Sequence, residues 1–167
     1  MSAFITMMTP MTDQECLVEA LAALGLPRQQ IEVSATPLTL RGYQQGRQAH
    51  VILRKELTGD LWNDIGFLQT PTGYKAVLSN DYQRYGTEWL SRVGTQYQQQ
   101  VRLKEARLAE LDRQAREREA QQRELERQKL VEAQRQAIEE KAKKLGYMVK
   151  ESREADKIRL VLVKRTY

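Results

Sequence analysis

Fifty-one consecutive residues, Thr95 to Leu145, contain neither glycine nor proline. Leu, Ala, Arg, Lys, Gln and Glu dominate the run, and each loses little rotamer freedom in a helix. The composition predicts a helical region over 88–145, stopped by Gly146 just past the last turn. Drawn straight, such a helix would measure about 85 Å at about 1.5 Å per residue, longer than a domain of this size is wide.

Apolar side chains divide that region in three. Leu90, Val93, Tyr97 and Val101 recur at spacings of three and four beside Trp89, so the first turns are expected to pack on a sheet. Leu108, Leu111 and Ala115 extend the stripe, and Arg116 to Glu124 then offers only Ala120. Apolar residues return at Leu125, Leu130, Val131, Ile138, Ala142 and Leu145. The symmetry about a polar centre predicts a reversal within 112–124 that zips two antiparallel helices together. The rival is a straight arm with strands exchanged between two protomers, a low-cost route to a homodimer. No sustained apolar a/d seam crosses the centre, so a long parallel coiled coil is not expected. Glu119 with Arg123 and Glu139 with Lys143, each four apart, support helix in either geometry.

The flanking segments read as short strands around one helix. Phe4 to Met8 is apolar and bounded by Thr and Pro10, so it reads as a strand. Thr12 and Glu15 match a capping box, after which Leu17, Leu21 and Leu24 form a helical stripe that Gly25 and Pro27 end. Strands are expected over 31–35, 38–41 and 48–55, the last with Ala49, Val51 and Leu53 inside and His50, Ile52 and Arg54 on a wet face. Two more, over 64–69 and 74–79, flank the turn Thr70-Pro71-Thr72-Gly73, and this close spacing predicts an antiparallel meander. The tail, 147–149 and 158–163, reads as a strand pair, and a lone hairpin is marginal in water. The expected fold is therefore α+β. It has a sheet lobe with a packed N-terminal helix (1–87), a long charged helical arm (88–145) and a C-terminal strand pair (146–167) that returns to complete the sheet.

Composition narrows the function classes. A single cysteine, Cys16, cannot form an internal bridge, and it reads as buried filler on its helix. The lone His50 reads as ordinary surface. The start lacks a basic, long-apolar leader pattern and no apolar run reaches about 18 residues, so a cytoplasmic protein without membrane contact is expected. There is no phosphate-cradling glycine loop, nucleophile elbow, HExxH or CxxC pair. The chain is expected to be no enzyme, with no catalytic residue, metal or cofactor. Its net charge of +5 divides into −1 for residues 1–87 and +6 for 88–167, which assigns the basicity to the arm and tail.

Four strings carry a family likeness: RGYQQG at 41–46, NDIGF at 63–67, Gly73-Tyr74, and the tail GYMVKESREADKIRLVLVKR. In this order they resemble the Ycf35 family of cyanobacteria and plastids. The likeness covers about 1–103 and 138–167, while about 104–135 resembles an insertion into the family's shorter helical region. What the resemblance implies about activity is limited, since family members have no established activity. Family members neighbour AAA-type ATPases and small ferredoxins, which implies an accessory role in a multiprotein system. It also marks Arg41, Gly42, Tyr43, Asp64, Gly66 and Phe67, with glycines that serve backbone geometry and aromatics that fill a core.

Two functions follow as expectations. The first is a non-catalytic accessory protein that docks in an assembly, with an AAA-type ATPase or a ferredoxin-containing system as partner, through its sheet lobe and arm. Its contacts would include Arg41, Tyr43, Asp64 and Phe67, with an Arg41–Asp64 ion pair between neighbouring strands. The second is a nucleic-acid or ribosome-binding protein that sets Arg113, Arg116, Arg118, Arg123 and Arg127 on phosphates. Interleaved acids and the lack of exposed aromatics in the arm weigh against it.

Overall fold

The computed structural model describes residues 4–42, 46–60, 62–79, 83–154 and 157–164. Its contacts divide the chain into two units, Met1–Ala109 and Glu110–Tyr167.

The first unit is built on a five-stranded antiparallel sheet. Its strands are β1 (Phe4–Met8), β2 (Ile31–Thr39), β3 (Gln48–Leu53), β4 (Ile65–Thr70) and β5 (Gly73–Ser79), in the spatial order β1-β5-β4-β3-β2. The expected meander runs from β2 to β5, and β1 pairs with β5 with Phe4 opposite Ser79. Strand β2 is one strand where two were expected. Its register against β3 shifts between Val33 and Leu38, a span that contains Pro37, which cannot donate to a ladder.

One face of the sheet is covered by helix α1 (Gln14–Ala23) and by the first turns of the long helix α3 (Thr87–Lys144). Leu17, Leu21, Phe67, Tyr74 and Val93 are fully buried there. The cap of α1 lies one residue later than the capping-box reading: the Asp13 carboxylate, not a threonine hydroxyl, accepts from the Cys16 N–H at 2.9 Å. Tertiary contacts explain the shift. The Tyr97 hydroxyl of α3 accepts from the N–H groups of both Thr12 and Asp13 at 3.0 Å, which occupies the donors a Thr12 cap would leave free. Lys104 of α3 meets Asp13 at 2.7 Å and Glu15 at 2.9 Å. Lys104 holds the Asp13 carboxyl below its usual range, with the Cys16 N–H as the next contributor. Burial raises the Cys16 thiol above its ordinary value, and the charge of Asp13 adds to the rise.

The other face is not wet at β3, contrary to expectation. Ile52 is fully buried with Leu40, Ala49 and Val77 in a second small cluster. That cluster accounts for the glycine of the NDIGF string: a Cβ at Gly66 would lie 2.6 Å from the Ala49 Cβ. His50 is half-buried and its Nδ1 accepts from the Gln69 N–H at 3.0 Å, so the ring completes the ladder between β3 and β4. After β3 a short helix, α2 (Lys55–Thr58), turns the chain toward β4.

Two expectations about the arm are overturned. Thr87–Lys144 is a single helix, so the chain does not reverse within 112–124. The polar centre contains no turn residue, and side-chain pairs of its own hold it helical. The final strands, β6 (Tyr147–Glu154) and β7 (Lys157–Lys164), form a two-stranded sheet by themselves rather than completing the larger one. Gly146, at φ 79°, permits the left-handed turn between α3 and β6. The hairpin finds its support on α3: Arg135 Nη2 meets Glu151 Oε2 at 2.8 Å. Ala142 is the one buried hydrophobic residue of this unit among the described residues.

Candidate functional site

The Asp64 carboxylate is fully buried and receives three hydrogen bonds. Its Oδ2 accepts from the Arg41 N–H at 2.9 Å and from Arg54 Nη1 at 2.8 Å, and its Oδ1 accepts from the Lys55 N–H at 2.9 Å. The pairing of Leu53 with Ile65 sets Arg54 and Asp64 side by side at the ends of β3 and β4. Arg54 also donates from Nε to Glu32 on β2, and Glu32 is the largest influence holding the guanidinium charged.

The expected Arg41–Asp64 ion pair is thus corrected. Arg41 offers Asp64 only its backbone N–H, while its side chain extends to the surface and meets Glu56 at 3.3 Å. Arg54, with its side chain 20% exposed, is the cation turned inward toward the carboxylate. The cluster locks three strands together and leaves Asp64 no free face for a ligand. Among the described residues, every buried side-chain nitrogen and oxygen has a hydrogen-bond partner.

Phe67 is not a partner contact either. It is fully buried, with its ring centroid 6.4 Å from that of Trp89. Of the residues marked from sequence in this lobe, Arg41 is exposed, Asp64 and Phe67 are buried, and Tyr43 lies outside the described residues.

The five arm arginines are all exposed on α3. At about 100° per residue, Arg113, Arg116, Arg123 and Arg127 fall within an arc of about 80°, and Arg118 points away from it. Carboxylates accompany that arc. Arg113 meets Glu110 at 2.7 Å, Arg116 meets Asp112 at 2.7 Å, and Arg127 lies 3.8 Å from Glu124. Gln114 and Gln128 donate to Glu110 and Glu124, one turn earlier. Arg113, Arg116 and Arg127 sustain the helix through these pairs, and their acids interrupt the cationic track.

At the end of α3 an open cleft of about 550 Å³ lies against β6, lined by Glu139, Lys143, Gly146, Tyr147, Met148 and Val149. Sequence reasoning passed over this junction, and over Arg54, Glu32 and Arg135. Arg54 was legible only as the outward residue of an alternating strand, and the cross-strand partners of such a residue depend on register. Among the described residues no helix is long and apolar enough to cross a membrane. No protein-family model, curated protein or solved structure matches the chain.

Proposed function

We propose that this protein is a non-catalytic accessory component of a cytoplasmic multiprotein assembly. It docks through its sheet unit and makes a second contact through the later part of α3 and the β6–β7 hairpin. The observation that supports this is the stretch from Glu110 to Gln134, where every residue is exposed and the helix is held by pairs within itself. A polar, self-supporting helix contributes nothing to a core, so its length serves contact with something else. The likeness to the Ycf35 family supports an AAA-type ATPase or a ferredoxin-containing system as that partner. Arg41, exposed beside Glu56, is the contact on the sheet unit that remains open to it.

The experiment is a deletion of residues 112–129, which removes 18 residues, about five whole turns, and so keeps the helix faces in phase. The deleted protein should retain the thermal transition of the sheet unit and lose in-cell cross-links to the partners of the full chain. Recovery of the same partners at the same yield would overturn the reading.

A further inference from the structure

The positive charge has a sharper address than the arm. Residues 88–140 carry eleven basic and eleven acidic side chains, so that stretch of helix is neutral. Residues 141–167 carry nine basic and three acidic, a net of +6, against −1 for all of residues 1–140. The whole excess therefore lies within residues 141–167, the stretch that holds the last helical turn and the β6–β7 hairpin.

The register places Lys150 and Arg159 on one face of the hairpin and Lys164 on the other. Tyr147, Val149, Glu151, Leu160, Leu162 and Lys164 share one side of the ribbon, and on it Glu151 is already bound by Arg135 of α3. Met148, Lys150, Ser152, Arg159, Val161 and Val163 share the other, where all six are exposed. Lys141, Lys143 and Lys144 are exposed at the end of the helix. The two outward cations, Lys150 and Arg159, lie among Met148, Ser152, Val161 and Val163, on a ribbon whose eight-residue strands span about 26 Å.

We propose that the β6–β7 ribbon binds the phosphate backbone of B-form DNA, with Lys150 and Arg159 as its principal contacts. A polyanion complements the net +6 of residues 141–167. A two-stranded antiparallel ribbon also fits the major groove of B-DNA, about 12 Å wide, and not the deep, narrow major groove of duplex RNA. This moves the nucleic-acid contact off the arm arginines, whose charge the helix neutralises. It goes beyond the accessory reading, whose partner is a protein, by adding a nucleic-acid contact at the hairpin. The test is direct binding, so its failure leaves the cross-linking result to judge the accessory role separately.

The full chain is titrated onto a fluorescent 20-base-pair DNA duplex of mixed sequence by anisotropy. With about four phosphates neutralised, affinity should fall on the order of a hundredfold between 50 and 200 mM salt. Lys150→Gln/Arg159→Gln, which keeps the hairpin's polar surface, should weaken binding about tenfold or more with an unchanged circular dichroism spectrum. Arg113→Gln/Arg116→Gln/Arg127→Gln should change it less than about twofold. The proposal is overturned by no binding at 50 mM salt, by an unaffected hairpin variant, or by an equal loss in the arm variant. Tighter binding to a duplex RNA of the same sequence, or to vesicles rich in phosphatidylserine, would also overturn it.

Discussion

Trp89, Leu90, Val93 and Tyr97 bury the first turns of α3 against the sheet, whereas Leu111 and Leu125, on the same helix, remain 53% and 52% exposed. One stretch is helical because a core demands it. The other is helical because Glu110, Asp112 and Glu124 each find a basic residue or glutamine one turn on. Each such pair is worth only about 0.2–0.5 kcal/mol, so the second stretch depends on many small terms and the first on a few large ones. The lesson is that helix continuity, by itself, says nothing about what stabilises a given turn.

The contrast is tested first where the effect should be largest. Phe67→Ala should destabilise the sheet unit by about 3–5 kcal/mol, while Leu125→Ala should stay within about 0.5 kcal/mol. Urea unfolding followed by Trp fluorescence measures both, and equal effects would break the distinction. Asp64→Asn removes one partner of a buried pair and leaves Arg54 half-compensated, for an expected loss of about 3 kcal/mol in the same assay. A near-neutral result would mean that Glu32 alone suffices for Arg54.

A proline at Gln121 tests the other stretch. Proline inside a helix costs about 3 kcal/mol locally. Far-ultraviolet dichroism should lose helix while the unfolding midpoint of the sheet unit holds steady. A drop in that midpoint would mean that the two stretches are coupled.

The smallest effect concerns pH. Asp13 is held below the ordinary carboxylate value, so its contribution is fully present above that value and is lost as pH falls through the lowered one. Carboxyl NMR should find Asp13 titrating below the ordinary aspartate value. Lys104→Met should return most of the difference, with the Cys16 N–H keeping a remainder. An unchanged Asp13 would show that Lys104 exerts no hold on it.

Local chemistry made much of the fold legible. The Thr95–Leu145 run, the Gly146 stop, the Pro71-Thr72 turn and the Leu17/Leu21 stripe each depend on residues a few positions apart. The α+β class and the antiparallel strands followed from those elements. The Phe67 and Gly66 positions were readable as structural, since strand glycines and aromatics commonly serve packing.

What the sequence by itself determined is where the helix and strands lie, because propensity, capping and turn chemistry act within a few residues. Which surfaces meet was decided only by the tertiary structure. Whether Asp64 pairs with Arg41 or Arg54 depended on strand register, and whether Ile52 faces water depended on Leu40 and Val77. Arg135 of α3 meets Glu151 of β6 from sixteen positions away, a pairing no local pattern announced. Those choices compare contact free energies between distant segments, and no local pattern encodes that comparison.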